Sequence, residues 1–477
     1  MFPIPVEWSS PVMETAAAIL YVVLALVVTI DVLLKKSDVR SALGWIGAVW
    51  LAPIFGSILY YLFGINRVTR RALKMSRLEN AQASAPINIE PDCSANIALL
   101  SDVVERITHG PVTAGNAVTI LEGGDAAYPA MLTAITGARR SIAFASYIFR
   151  DDEAGRQFSD ALIAAAQRGV KVRVLLDGIG AGYFHSREFY RMRRAGVPVA
   201  SFLHTWAPWR MPFLNMRNHK KLLIIDGKEG FTGGLNIGAE NILASHPRHP
   251  VQDLHFRFSG PVVRQMMTSF AEDWSFTTGE RLEGEAWWPA IPPAGPVLAR
   301  GIPSGPDEDA GSLEAVLGSA VGSARRRLRV VTPYFLPESS LAIALALAAA
   351  RGVETDVILP ERTDSILLDW AMRAHIAFMR APGLRFHFSP GPFDHSKAVT
   401  VDGAWSLVGS ANWDVRSLWL NFEFVVECYD ETSTALIDKV IEEKIAASRP
   451  FTPSELRHQP TAIRLRNAAA RLLSPYL

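Results

Sequence analysis

Two kinds of apolar pattern divide the chain. From Thr15 to Leu34 every position except Asp31 is uncharged, a run long enough to cross a bilayer as a helix. A second run, Ser41 to Asn66, carries no charge but contains Pro53 and several glycines, which fits either a kinked span or a re-entrant hairpin. No Lys or Arg precedes the first run and no small-residue cleavage site follows it, so it reads as an anchor and not a secretory signal. Lys35, Lys36 and Arg40 lie between the runs, and Arg67, Arg70, Arg71, Lys74 and Arg77 follow the second. That bias places the rest of the chain in the cytoplasm, whether the second run spans or returns.

After a mixed, Pro-containing linker from about Ser76 to Asp92, short apolar runs alternate with helical periodicity. SIAFASYIF predicts a strand, DDEAGRQFSDALIAAAQRG a helix ended by Gly169, and VKVRVLLDG a second strand. The same order returns in RLRVVTPYF, a helix ended by Gly352, and VETDVILP. This is an internal duplication of an α/β lobe, with a mixed or largely parallel sheet flanked by helices. The expected organisation is a membrane region over 1–75, a first lobe over 93–278, a Pro- and Gly-rich connector over 279–311, a second lobe over 312–450, and a basic tail over 451–477.

Each lobe closes on one short pattern. HKKLLIID starts at His219 and HSKAVTVD at His395, both His-x-Lys-x4-Asp, and both are followed at the same offset by Gly-x-x-Asn ending at Asn236 and Asn412. The runs LLII and AVTV read as buried strands, on which His219 and Lys221 share a face, as do His395 and Lys397. Imidazole serves as nucleophile or proton donor near neutral pH. Lys ammonium and Asn amide groups are suited to hold non-bridging phosphate oxygens. Two copies therefore predict one pocket in which one His attacks phosphorus and the opposite His protonates the leaving oxygen.

With those residues in view, the chain resembles the phospholipase D superfamily and, within it, the bacterial cardiolipin synthases. RNHKKLLIIDG, GFTGGLNIG and DLHFRFSGP carry the resemblance in the first half, DHSKAVTVDG, SLVGSAN and LNFE in the second. The resemblance implies two duplicated phospholipase D-like lobes behind a transmembrane region in the bacterial inner membrane. It implies catalysis by His219, Lys221, Asp226, His395, Lys397 and Asp402 through a phosphohistidine, with His219 as nucleophile and His395 as general acid. Within that set Asp226 and Asp402 are expected to be structural. Asn236, Asn412, Asp253 and Glu423 are expected in support, Asp253 orienting His219 and Glu423 orienting His395. Gly234 stands where the superfamily pattern has Ser. The implied reaction joins two phosphatidylglycerol molecules into cardiolipin and glycerol, without a cofactor; a hydrolase or nuclease of the same superfamily, or use of another acceptor lipid, is the alternative.

Composition sharpens this in places. The balance of 48 basic against 47 acidic residues gives no global attraction to nucleic acid and suits a lipid partner. Cys93 and Cys428 lack ligand-like spacing and read as free thiols. His246, His249 and His255 surround Asp253, but the prolines of HPRHP favour a solvated loop over a metal site. Trp206, Trp209, Trp287 and Trp288 are placed either at a bilayer interface or in packing. The tail, with Arg464, Arg466 and Arg471 among Ile463, Leu465, Leu472 and Leu473, reads as an interfacial helix or an ordinary surface one.

Overall fold

The computed structural model describes residues 11–36, 39–64, 94–182, 186–204, 216–306, 310–379 and 382–474. They fall into two compact units, the N-terminal helices and the α/β body from Ser94 onward. In the first, Pro11–Lys35 is a single helix, and its stretch Met13–Lys35 is the one described segment long and apolar enough to cross a membrane. The second apolar run is broken. Val39–Leu51 stops before Pro53, whose ring cannot continue the preceding turn, and the chain resumes as Pro53–Leu59 and a π turn over Tyr60–Gly64. The pieces lie back along the first helix, with Trp50 Nε1 donating to Thr29 Oγ1 at 3.1 Å and the Tyr60 hydroxyl to Asp31 at 2.8 Å. Lys35 also contacts Asp31, so the one charge inside the first run is partnered where hydrocarbon would penalise it bare. The basic cluster from Arg67 to Arg77, the linker over 76–92, Cys93, Trp206 and Trp209 lie outside the described residues.

Among the described residues, the second unit is built on one mixed sheet of fifteen strands. From one edge the first half contributes Val199–Phe202, Lys171–Asp177, Ser141–Ser146, Leu222–Ile225, Glu229–Gly233, Leu254–Ser259 and Thr113–Glu122. From the other edge, Glu354–Pro360, Arg327–Val331, Ala398–Val401, Trp405–Gly409 and Glu423–Tyr429 repeat that order, with Leu384–Ser389 and Arg449–Phe451 outside them. The outer pairs formed across helices are parallel and the motif strands are antiparallel. This follows from the sequence: a strand that returns after a helix runs parallel to its predecessor, whereas a tight turn reverses it. The helices end where expected, with Gly169 and Gly352 both at positive φ. Buried aliphatic and aromatic side chains form a core in each half, around Phe144, Phe158 and Leu162 in the first and around Leu345, Phe386 and Trp405 in the second.

One part of the organisation differs from the sequence reading, and one alternative left open for the tail is selected. The connector contains Val297–Ser304, a central strand that pairs with Thr113–Glu122 on one side and with Glu423–Tyr429 on the other, so the two sheets are continuous. Its Gly and Pro residues hide a strand whose stability comes from neighbours on both edges rather than from its own propensity. Arg300 and Glu427 face each other across that junction, 2.9 Å apart and fully buried. The tail is also packed: Thr461–Arg471 lies on the helix Ile366–Phe378, with Arg466 over Trp370 at 4.2 Å and Arg471 over Phe378 at 4.3 Å. Trp287 is buried beneath Arg173, and Trp288 donates to the Leu282 carbonyl, so both pack within the connector. Cys428 is a buried free thiol.

Candidate active site

The motif strands Leu222–Ile225 and Ala398–Val401 lie fully inside the sheet, and the histidine and lysine of each motif stand just before them. At the far ends of these strands are Asp226 and Asp402. Asp226 accepts the backbone N–H groups of Arg139, Arg140 and Ser141, and Asp402 those of Arg325, Arg326 and Arg327. Both residues have positive φ, at 53° and 54°, and each is followed by a left-handed glycine. Their carboxylates tie a tight turn to the start of the neighbouring strand. They are engaged with backbone N–H groups, and Asp402 also accepts the Asn96 side-chain amide at 3.3 Å.

His219, Lys221, His395 and Lys397 are all buried, and each lysine donates to the carbonyl of its own motif histidine, Lys221 at 2.7 Å. The acids are exchanged relative to the expectation. Glu423, in the second half, accepts from His219 Nδ1 at 2.9 Å, and Asp253, in the first, accepts from His395 Nδ1 at 2.7 Å. The reason lies in the backbone. The His219 N–H donates to the Phe422 carbonyl and the His395 N–H to the Gln252 carbonyl, at 2.9 and 2.7 Å. Short parallel pairings, Asn218 with Phe422 and Phe393–Asp394 with Val251–Gln252, thus lay each histidine beside the residue that precedes the opposite acid. Each His–carboxylate pair is assembled from both halves.

The surroundings of the two acids are unequal. Glu423 also accepts the Ser410 hydroxyl at 2.6 Å and the Asn421 amide at 3.3 Å. Asp253 accepts the Leu254 N–H at 2.7 Å, and beside it stands Gly234, whose absent Cβ would fall 2.1 Å from an Asp253 oxygen. Asn236 has its side-chain oxygen fixed by the Ile148 N–H at 3.2 Å, which leaves its NH2 end to donate. Asn412 is buried and hydrogen-bonded to Asp414.

Electrostatics follow from burial. Desolvation lowers the His219 imidazole to about 4 against the pull of Glu423; burial also lowers His395, with Lys397 adding to the effect. Burial raises both acids, but Lys397 and His395 outweigh it at Asp253, and His219 and Lys221 at Glu423, so both carboxyls end below their usual range. The stable arrangement is therefore a neutral imidazole that donates Nδ1–H to a carboxylate and turns the lone pair of Nε2 outward. Burial and mutual repulsion bring Lys221 down to about 7; burial brings Lys397 to about 8, held up in part by Asp253 and Glu423.

Two tyrosines that the sequence reading passed over wall the site. Tyr147 meets the His219 ring edge-on at 4.9 Å and lies under Lys221 Nζ at 5.2 Å; Tyr334 meets His395 at 6.3 Å. They stand at equivalent places after the duplicated strands, in SYIF and PYFL, and that repetition was the available signal. His255 departs from the loop expected of it. It is buried on the strand Leu254–Ser259 with neither ring nitrogen hydrogen-bonded, and desolvation lowers it to about 4. Among the described residues no group of His, Cys, Asp or Glu has the geometry of a metal site.

A family model described as the phospholipase D-like domain of cardiolipin synthase matches residues 131–274 and 317–445, and one described as a phospholipase D-nuclease N-terminal segment matches 23–64. The major cardiolipin synthase of Bacillus subtilis (strain 168) is 31% identical over 475 residues, covering 96% of this chain and 98% of its own. Cardiolipin synthase A of Pseudomonas aeruginosa (strain LESB58) is 31% identical over 95% of this chain and 94% of its own. In fold, the body resembles the crystal structure of phosphatidylserine synthase from Haemophilus influenzae, with a TM-score of 0.58 at 15% identity, covering 80% of this chain and all of that one. By full-length similarity, duplicated domain and paired motifs, the chain belongs to the bacterial cardiolipin synthases of the phospholipase D superfamily.

Proposed function

We propose that the chain moves the phosphatidyl group of one phosphatidylglycerol onto a hydroxyl of a second, giving cardiolipin and glycerol. The observation that carries this reading is the pair of crossed His-carboxylate units, each beside a buried lysine. In the first half-reaction, Nε2 of His219 attacks phosphorus. The bond from phosphorus to the glycerol oxygen breaks, and His395 gives that oxygen a proton. Burial disfavours a charged His395, but arrival of an anionic diester restores its affinity for the proton. In the second half-reaction the acceptor hydroxyl returns a proton to His395 as its oxygen bonds phosphorus, and the phosphorus–nitrogen bond breaks with its electron pair going back to His219. Lys221, Lys397 and the Asn236 amide hold the non-bridging oxygens. Asp226 and Asp402 fix the frame.

Transfer is favoured over hydrolysis because the N-terminal helices hold the pocket at a bilayer, where lipid alcohol is concentrated. We place the chain in the inner membrane as a multi-pass protein with its catalytic body on the cytoplasmic side, on the strength of the Lys and Arg bias around the apolar runs. Full-length enzyme given phosphatidylglycerol as its only lipid should form cardiolipin and glycerol in equal amounts. Given a phosphatidyl donor with a p-nitrophenol leaving group, which departs without a proton, a radiolabelled phosphoenzyme should be trapped in His395→Ala and absent in His219→Ala. Phosphatidic acid as the main product would make the enzyme a hydrolase, and a need for phosphatidylethanolamine would remove the acceptor assignment.

A further inference from the structure

Behind each motif histidine stands a buried ion pair, made of different residues in the two halves. In the first half, Asn218 and Lys220 flank His219. The Asn218 side-chain oxygen accepts the Lys220 N–H at 3.2 Å, which closes a turn around the histidine, and its NH2 group donates to Asp273 at 2.9 Å. Lys220 Nζ donates to the same carboxylate at 3.0 Å and lies over the Phe422 ring at 6.0 Å. In the second half, Asp394 and Ser396 flank His395. One Asp394 oxygen accepts the Ser396 N–H at 3.1 Å, and the other accepts from Lys444 Nζ at 2.7 Å. Asn218, Lys220, Asp273, Asp394 and Lys444 are all buried.

Asp273 and Lys444 occupy corresponding places. Each belongs to the helix that leaves an acid-bearing strand, Val262–Thr278 after Leu254–Ser259 and Glu431–Ala447 after Glu423–Tyr429. The polarity is inverted: in the first half the helix supplies the acid and the motif the lysine, and in the second the motif supplies the acid and the helix the lysine. What the two copies share is the connection and not the residues that make it. Desolvation of two charges offsets much of their attraction, so a buried ion pair is weak as a source of stability. What it supplies is direction, because a hydrogen bond between charged groups sets a distance and an angle where apolar contact tolerates sliding.

The backbone of each histidine is held on two sides. The His219 N–H donates to the Phe422 carbonyl and its own carbonyl accepts from Lys221; His395 stands likewise between Gln252 and Lys397. The ion pairs add a tie from the turn to the helix of the same lobe. We propose that Asp273 and Lys444 are positioning residues for the reaction, each setting, through the turn it holds, where its own lobe's histidine stands against phosphorus. They act through the histidine and not on the substrate. Each ring is oriented by the opposite lobe and each turn by its own, so a displaced turn costs rate even where the carboxylate on Nδ1 is intact.

This rests on the phosphatidyl-transfer reading and its two histidine roles, and the test separates the two. Full-length enzyme is followed through its first turnover with phosphatidylglycerol, whose glycerol needs a proton to leave, and with a phosphatidyl donor whose p-nitrophenol does not. Lys444→Met and the isosteric Asp394→Asn loosen the turn of the proton donor. Each should slow glycerol release by about tenfold or more and leave p-nitrophenol release within about twofold of wild type, and Lys444→Arg should recover part of the loss. Asp273→Asn loosens the turn of the nucleophile and should slow both releases alike, by about tenfold or more. Equal losses on both donors in the second-lobe variants are what a merely weakened fold gives, and they overturn the proposal; if Lys444→Met does not fold, Asp394→Asn decides. Recovery of Asp273→Asn with the p-nitrophenol donor overturns it as well. If phosphoenzyme trapping exchanges the roles of the histidines, the two patterns have to exchange with them, and anchors that do not follow their own histidine sink the idea. Wild type that releases both alcohols but makes no cardiolipin counts against transfer alone, because both releases precede the acceptor.

Discussion

Glu423 and Asp253 occupy equivalent places in the two lobes, and each reaches across to the other lobe's histidine, yet they are held differently. The longer acid is steadied by a serine hydroxyl; the shorter one fits only because its neighbour is Gly234. The duplication has kept the crossing and rebalanced the lengths around it. An extra methylene on one side is matched by room for Ser410, and a shorter side chain on the other by the removal of every atom beyond Cα at 234. The asparagines follow the same rule of unequal copies, Asn412 being engaged with Asp414 while Asn236 keeps its NH2 end available. Near-symmetry in sequence thus conceals two sites with different surroundings.

The crossing is most directly broken by Glu423→Gln and Asp253→Asn. Each should slow transfer by between about a hundredfold and ten-thousandfold, the range seen when a carboxylate that sets a histidine tautomer becomes an amide. A substrate with a p-nitrophenol leaving group separates them, because it departs without a proton. It should restore much of the activity of Asp253→Asn, whose defect falls on His395, and little of Glu423→Gln, whose defect falls on His219. The opposite pattern would put each acid back with the histidine of its own lobe.

The unequal surroundings can be tested by exchanging them. Gly234→Ser places a Cβ against the Asp253 carboxylate and should cost about a hundredfold in transfer, whereas Ser410→Gly removes one hydrogen bond to Glu423 and should cost about tenfold. Equal losses would mean that the two surroundings are interchangeable.

The smallest effect concerns the lysines. A lysine with a depressed pKa keeps its charge only below that value, so the free enzyme loses phosphate-holding charge as pH rises through about 7 at Lys221 and then about 8 at Lys397. The value of kcat/KM should therefore decline on the alkaline side, by about tenfold between pH 7 and 9, with the first lobe titrating first. A flat profile across that range would show that neither lysine is as desolvated as its burial implies.

The sequence made legible what is set locally. The motif strands, the helix ends at Gly169 and Gly352, and the turn role of Asp226 and Asp402 each depend on a few neighbouring residues, and the duplication displays them twice. The crossing was out of reach because it is fixed by backbone pairing between segments 204 and 142 residues apart. A search for the nearest acid within each lobe finds the right residues and exchanges their partners. The strand Val297–Ser304 was missed for a related reason: what makes it a strand lies on its two neighbours, not in its own Gly and Pro. The packing of Arg466 and Arg471 on aromatic rings is likewise a contact that periodicity cannot register.

The crossed pairs also constrain descent. One lobe alone contains a histidine without its carboxylate and a carboxylate without its histidine, so an ancestor with a single lobe could complete either unit only by meeting a second copy of itself. A single chain holds the two copies together without making the halves independent. A change that shifts Asp253 is felt at His395, and the remedy has to arise in the other half of the gene. Compensating substitutions in relatives should therefore pair across the midpoint of the chain, 234 and 253 with 395, and 410 and 423 with 219, more strongly than histidine and acid pair within either lobe.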